Sequence, residues 1–290
     1  MAQRHSGSGK VVVDGRPALL QRRHPLAMVY GGGGVVGIAY TAGIAVGLAS
    51  AGWPVASAPA LGTSAGSWTA SAMALGLSYD DLADLPVPSM PTMRIGVLAD
   101  IARLAFGAST HPLVSVSAVG LRSRRRHILD GGAHPLADLV AASSAVPGLF
   151  PPHRVRDRWY VDGGMWSATS VDAAADADRV IVVAPLAGRM MGPMGRVAGA
   201  LLGRELDRWQ DRHPEASIHL VRPNREMATI VGVRPLALFD AERARAIYPL
   251  AYEQGVRWGD QLLTTSASES EAAGCRAIVR TGRSASRRPW

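Results

Sequence analysis

Apolar positions in this chain fall into short blocks divided by glycine, and the blocks change period as they go. Residues 26–30 are a continuous apolar run of strand length, residues 31–34 are four glycines, and residues 35–51 continue at helical length. Residues 58–61 repeat the strand, residues 62–66 the glycine turn, and a second helix runs to about residue 75. Strand, glycine turn and helix, twice over, predict an α/β fold. Ile95, Leu98, Ile101, Ala102 and Ala105 then recur at helical spacing, as a core-packed helix or as an apolar lid over a lipid site. Strands are expected at 113–117 and 127–129, around a polar turn holding Arg122, Arg124, Arg125 and Arg126. A helix follows at 135–145. A hairpin is expected at 153–161, closed by the Arg156-Asp157-Arg158 turn. Beyond it the pattern gives strands at 180–184 and 217–221 and helices at 194–212 and 240–263.

Charge sharpens this picture. Residues 26–79 contain no Asp, Glu, Lys, Arg or His, so they must be tested as a membrane span. Eleven glycines and two prolines interrupt the stretch, and its helical part is rich in small residues, which favours a buried strand–loop–helix unit. The first 25 residues are basic but lack an apolar core, so no secretory signal is expected. Of 290 residues, 48% are apolar and 19% charged, which excludes wholesale disorder. Cys275 is the sole cysteine; it excludes a disulfide scaffold or a cysteine metal site and suits a reducing, cytoplasmic compartment. The net charge of +8 is uneven: residues 1–25 carry +4, residues 267–290 carry +3, and the body between carries +1. The basic character therefore belongs to two tails. It argues against a nucleic-acid-binding domain and suggests at most peripheral contact with an anionic membrane.

Three short motifs carry candidate chemistry. Gly62-Thr63-Ser64-Ala65-Gly66 is a G-x-S-x-G match lying after an expected strand and before an expected helix, the context a nucleophile elbow needs. Such a serine sits on a strained turn, and its flanks approach other backbone too closely for side chains. Gly32-Gly33-Gly34-Val35-Val36-Gly37 points bare N–H groups into one space, as an anion site does. A Walker loop is excluded because no Lys-Ser/Thr pair follows. A dinucleotide site lacks its acidic partner, since no carboxylate occurs between the glycine loop and Asp80. An oxyanion hole remains. Asp162-Gly163-Gly164 follows an apolar strand and offers a carboxylate that could approach another loop.

In this order, and with the stretch from Ala142 to Pro152 leading into Tyr160-Val161-Asp162, the motifs resemble the patatin-like phospholipase family over about residues 26–185. The resemblance implies a three-layer α/β fold, with a mixed central sheet between helices and a nucleophile elbow. It implies an acyl hydrolase domain at 26–266 between tails at 1–25 and 267–290. It further implies a Ser–Asp dyad, with Ser64 as nucleophile, Asp162 as general base and the N–H groups of Gly32, Gly33 and Gly34 as oxyanion donors. Gly37, Gly62, Gly66, Gly163 and Gly164 complete the motifs. The implied substrates are phospholipids, lysophospholipids or glycerides, and neither metal nor other cofactor is expected. Two positions depart from the family's pattern. Val36 stands where many members carry Arg or Lys, and Met165-Trp166-Ser167-Ala168 replaces an Asn-Asn-x-Pro run. Two alternatives stay open: an α/β-hydrolase with a Ser64–Asp162–His triad drawing on His213 or His219, and an inactive lipid-binding protein of the same fold.

Overall fold

The computed structural model describes residues 12–13, 22–88, 90–187, 192–232 and 234–281. Among these, β1 (Val12–Val13), β2 (Ala27–Tyr30), β3 (Ala60–Thr63), β4 (Val114–Gly120), β5 (Arg126–Asp130), β6 (His153–Val155), β7 (Arg158–Asp162), β8 (Arg179–Val183) and β9 (Ser217–Val221) form one mixed sheet. Its main path runs β1-β5-β4-β3-β2-β8-β9, and β7 joins β4 to β6. The strands from β4 to β9 along this path are parallel, whereas β5 and β7 run antiparallel to β4.

Both faces of the central strands β2, β3, β4 and β8 are dry, which is why these read as near-continuous apolar or small-residue runs, whereas β6, β7 and β9 are partly exposed. Met28, Tyr30, Ile181 and Val183 point into one core; Ala27, Val29, Val180 and Val182, their neighbours in sequence, point into another. The first core holds α1 (Gly34–Ser50), α2 (Ala65–Leu75), α5 (Leu136–Ser143) and α8 (Ala241–Thr281). The second holds α6 (Gly192–Arg212), through Leu202 and Trp209. The result is the expected three-layer arrangement, helices on both sides of a mixed sheet.

The uncharged span of residues 26–79 is accounted for by burial. Helix α1 is covered by α8, and the two backbones approach closely at glycines. A Cβ on Gly47 would run into the Tyr252 carbonyl, and one on Gly43 would press on Ala251. Small residues thus buy close helix packing rather than lipid contact. Among the described residues no helix is long and apolar enough to cross a membrane.

Several elements differ from the expectation. Val12–Val13, assigned to the N-terminal tail, pairs with His127 and Ile128 as an edge strand. Helix α8 continues in its backbone to Thr281, well past residue 266. Residues 1–11, 14–21 and 282–290 of the expected tails lie outside the described residues. The short helices α3 (Tyr79–Ala83) and α7 (Arg225–Val231) escaped the pattern because neither is long enough to show a helical period. The apolar series at 95–105 is α4 (Val97–Phe106), which packs against α5.

Candidate active site

The turn between β3 and α2 is a single residue. β3 ends at Thr63 and α2 begins at Ala65, so Ser64 alone reverses the chain, with φ 51° and ψ −119°. That is a left-handed backbone for a residue with a Cβ, a strained state that persists only where the surroundings over-determine it. They do so here. The Ser64 N–H donates to Ser143 Oγ at 2.8 Å, Ser143 Oγ donates to the Ser117 carbonyl at 2.7 Å, and Ser67 Oγ donates to the Ser64 carbonyl at 2.6 Å. The flanking glycines are steric requirements. A Cβ on Gly66 would occupy the space of the Tyr30 carbonyl. The serine itself is only half-buried.

Sheet topology brings the aspartate to this turn. Ala60–Thr63 pairs in parallel with Val114–Ser117, and Tyr160–Asp162 pairs antiparallel with Ala118–Gly120. β3 and β7 therefore lie end to end along one edge of β4, C-terminus facing C-terminus. Thr63 sits opposite Ser117 and Asp162 opposite Ala118, so Ser64 and Asp162 occupy the gap between two strand ends. Gly163 lets the chain leave this gap, because a Cβ there would clash with the Ser117 carbonyl.

The Asp162 carboxyl is 4% exposed. Its Oδ1 accepts from the Gly164 N–H at 2.6 Å, while Oδ2 has no hydrogen-bond partner among the described residues. Burial pushes its pKa up from 3.8 to about 6, and the neighbouring Ser64 hydroxyl and the Gly164 N–H hold it back from rising further. The hydroxyl is thus near enough to influence the carboxyl, without forming a bond of normal geometry to Oδ2.

The glycine loop lies on the other side of Ser64. Gly31 donates to the Val183 carbonyl and Gly32 to the Ala168 carbonyl, at 2.9 and 2.8 Å. The Gly32 N–H is therefore engaged by the segment after Gly164, while a Cβ added at Gly32 would stand 3.3 Å from Ser64 Cβ. Gly33 and Gly34 open helix α1, whose first N–H groups have no intrahelical acceptor. Gly34 has φ 62° and no room for a Cβ beside the Leu238 carbonyl. Gly37 returns its N–H to the Gly33 carbonyl at 2.8 Å and fixes the loop. Val36 is fully buried, so a valine suits a place where a cation would need a buried partner.

The segment after Gly164 is a buttress that sequence reasoning did not resolve. The Ala168 carbonyl accepts from Gly32, the Thr169 carbonyl accepts from Thr63 Oγ1 at 3.3 Å, and Ser170 Oγ lies 3.0 Å from Ser117 Oγ. Glu205 on α6 holds the segment by accepting from Thr169 Oγ1 at 3.2 Å and Val171 N–H at 3.3 Å. Its pKa is raised by burial and by the nearby Asp172. Asp172 in turn accepts a bidentate pair from the buried Arg126, at 2.6 and 2.9 Å. Nothing local in the sequence marks Glu205, and Ser143 stands in the Ala142–Pro152 stretch of the resemblance without its role being legible; both act through contacts tens of residues away.

An apolar cleft opens over Ser64. Val35, Ile38, Trp68, Leu82, Leu98, Ile101, Phe150 and Phe239 wall it, so α4 lines the cleft as well as packing on the core. The histidines of a triad lie elsewhere. His219 is on β9, three strands from β3, or about 14 Å at normal strand spacing. His213 stacks on Trp209 at 4.1 Å and faces Asp176 at 3.6 Å. Among the described residues no group of three or more His, Cys, Asp or Glu could hold a metal ion.

This is an α/β protein with a strained one-residue strand–helix turn at Ser64 and a buried carboxylate, Asp162, brought to it from a second strand. The resemblance to the patatin-like phospholipase family holds in sequence: the family's model matches residues 96–175, which span α4 to just beyond Asp162. The match contains Asp162 and the Ser143 buttress but stops short of Ser64 and the glycine loop. No curated protein sequence matches the chain. Among solved structures, the chain is similar to the crystal structure of VipD from Legionella pneumophila, at 12% identity and a TM-score of 0.46, over 82% of this chain and 67% of that one.

Proposed function

We propose that this protein is a lipid acyl hydrolase that cleaves carboxylic esters through a Ser64–Asp162 dyad. The observation that carries the reading is the head-to-head meeting of β3 and β7, which sets a strained serine beside a carboxylate whose Oδ2 has no hydrogen-bond partner among the described residues. Asp162 Oδ2 takes the Ser64 proton as Oγ attacks the ester carbonyl, and the N–H groups of Gly33 and Gly34 receive the developing oxyanion. Asp162 then returns the proton to the leaving alcohol and next activates the water that releases the acid. A base with a pKa near 6 is ionised at neutral pH yet still basic enough for this work. The apolar cleft supports an acyl chain as the group recognised, so phospholipids, lysophospholipids or glycerides are the proposed substrates. The exposed arginines of the β4–β5 turn support peripheral contact with an anionic membrane.

The test is turnover of p-nitrophenyl esters of increasing chain length, with fluorophosphonate labelling. Wild type should be labelled and active; Ser64→Ala should be unlabelled, and Asp162→Asn should fall below about a thousandth of wild-type turnover. His213→Ala and His219→Ala should stay near wild type. The value of kcat/KM should fall about tenfold per unit below pH 6, because the protonated base is inert. A folded wild type that neither labels nor turns over ester would instead mark an inactive lipid-binding protein.

A further inference from the structure

One wall of the cleft over Ser64 leads into a segment that shows apolar side chains to solvent. Leu85, Pro86, Val87 and Pro88 line the cleft, together with Leu98 and Ile101 of α4. Residues 90–96 join the two groups. Met90 packs against a core cluster that includes Leu98 and Phe150, and the Thr92 N–H donates to the Leu149 carbonyl at 3.0 Å. The Arg94 N–H donates to Thr92 Oγ1 at 3.2 Å, and α4 starts at Val97. The backbone is thus anchored on both sides, yet Met93 is 87% and Ile95 68% exposed, and Val87 at the cleft is 41% exposed. The one charged side chain among residues 85–88 and 90–96, Arg94, is paired with Asp100. Leu236, also exposed, stands three residues before Phe239, another residue of the cleft.

We propose that Val87, Met93 and Ile95 form a docking edge that inserts into a lipid surface and seats the cleft on it. The proposal rests on the reading of the cleft as a lipid ester site. An acyl chain passes from a bilayer into an apolar cleft without exposure to water where the rim of that cleft is itself in the bilayer. Three side chains make a small patch for a protein partner, whose standard interface takes about 800 Å² from each side. They suit reversible insertion, where binding grows with the apolar area withdrawn from water; Met93 and Ile95 together should change the partition by about tenfold or more. This contact needs no anionic lipid, which separates it from a contact through the β4–β5 turn. The two are compatible in direction. β4 passes Thr63 at Ser117 and runs on to Gly120, so the turn, with its exposed Arg122, Arg124 and Arg125, stands at the same end of the sheet as Ser64.

The experiment measures co-sedimentation of the full chain with phosphatidylcholine vesicles, in a Ser64→Ala background so that no lipid is consumed. The test variant is Met93→Ser/Ile95→Ser. An apolar control is Val197→Ser/Leu201→Ser, two exposed side chains of α6 on the other face of the sheet. Arg122→Ser/Arg124→Ser/Arg125→Ser removes the charge of the turn. Binding that weakens in the test variant at least tenfold more than in either of the others supports the proposal. A smaller difference, no binding by the parent, or binding that requires anionic lipid would overturn it. Self-association that the test variant loses in sedimentation velocity, with vesicle binding intact, would also overturn it and assign the patch to a second copy of the chain. With Ser64 present, turnover of dissolved p-nitrophenyl butyrate should be the same with and without Met93→Ser/Ile95→Ser, because a dissolved ester needs no docking. Ester turnover without vesicle binding would remove the docking edge alone, and vesicle binding without turnover would remove the hydrolase reading alone. Circular dichroism and thermal unfolding establish that the variants fold.

Discussion

Asp162→Asn separates the chemistry of the dyad from its cost to the fold. The substitution keeps the shape of the side chain and removes only its ionisation. In the native protein burial raises the carboxyl pKa from 3.8 to about 6, so between these values the folded chain holds a proton that the unfolded chain has released. Stability is therefore fully present below pH 3.8 and is lost as pH rises through about 6. Two pH units at 1.36 kcal/mol each make the cost of ionising Asp162 about 3 kcal/mol above pH 7. Asparagine does not pay it. Urea denaturation of wild type and Asp162→Asn should show a stability difference in favour of the variant that grows with pH. It should gain about 2 to 3 kcal/mol between pH 4 and pH 8 and then level off. All other carboxyls titrate alike in both proteins and cancel from the difference. Over the same range the variant should hydrolyse no ester. A difference that stays constant from pH 4 to pH 8 would refute the reasoning, because it would mean that Asp162 ionises in the fold as freely as in the unfolded chain.

Other contacts make further predictions. Ser143→Ala removes one buried and one part-buried hydrogen bond at the turn and should cost about 2 kcal/mol in denaturant titrations, with kcat reduced more than KM because the proposed nucleophile, Ser64, loses its orientation. Asp172→Ala leaves Arg126, only 1% exposed at its side chain, without its counter-charge; thermal and urea unfolding should register a loss of about 3–5 kcal/mol. Gly66→Ala drives a Cβ into the Tyr30 carbonyl and should cost at least about 3 kcal/mol, read as poor recovery of folded protein and a lowered Tm.

The parts of the site legible in the sequence were those whose chemistry is local. Ser64 became a candidate because glycine stands on both sides of it between a strand and a helix, and Asp162 because Asp-Gly-Gly ends a strand in the order the family resemblance implies. The glycine loop was legible as a run of bare N–H groups. What each N–H does was not, because the acceptor for Gly32 is the Ala168 carbonyl, 136 residues away. The contacts of Glu205 and Ser143 were hidden for the same reason: each is one polar residue on a helix until its partners are in place, even though Ser143 stands in the Ala142–Pro152 stretch of the resemblance.

Charge shows the same division. The sequence assigned the basic excess to the two ends and left the body nearly neutral, and that count stands. It could not reveal that Arg126 would be buried and paired with Asp172 while Arg122, Arg124 and Arg125 beside it stay exposed, since a net charge averages over positions that folding separates. Period and glycine punctuation by themselves determined an α/β chain with two strand–turn–helix units, because these depend on neighbouring residues alone. Only the tertiary structure decided that β3 and β7 meet end to end on β4. Strand order and register are set by packing across the sheet, and on them rests the placing of a serine beside an aspartate 98 residues further along the chain.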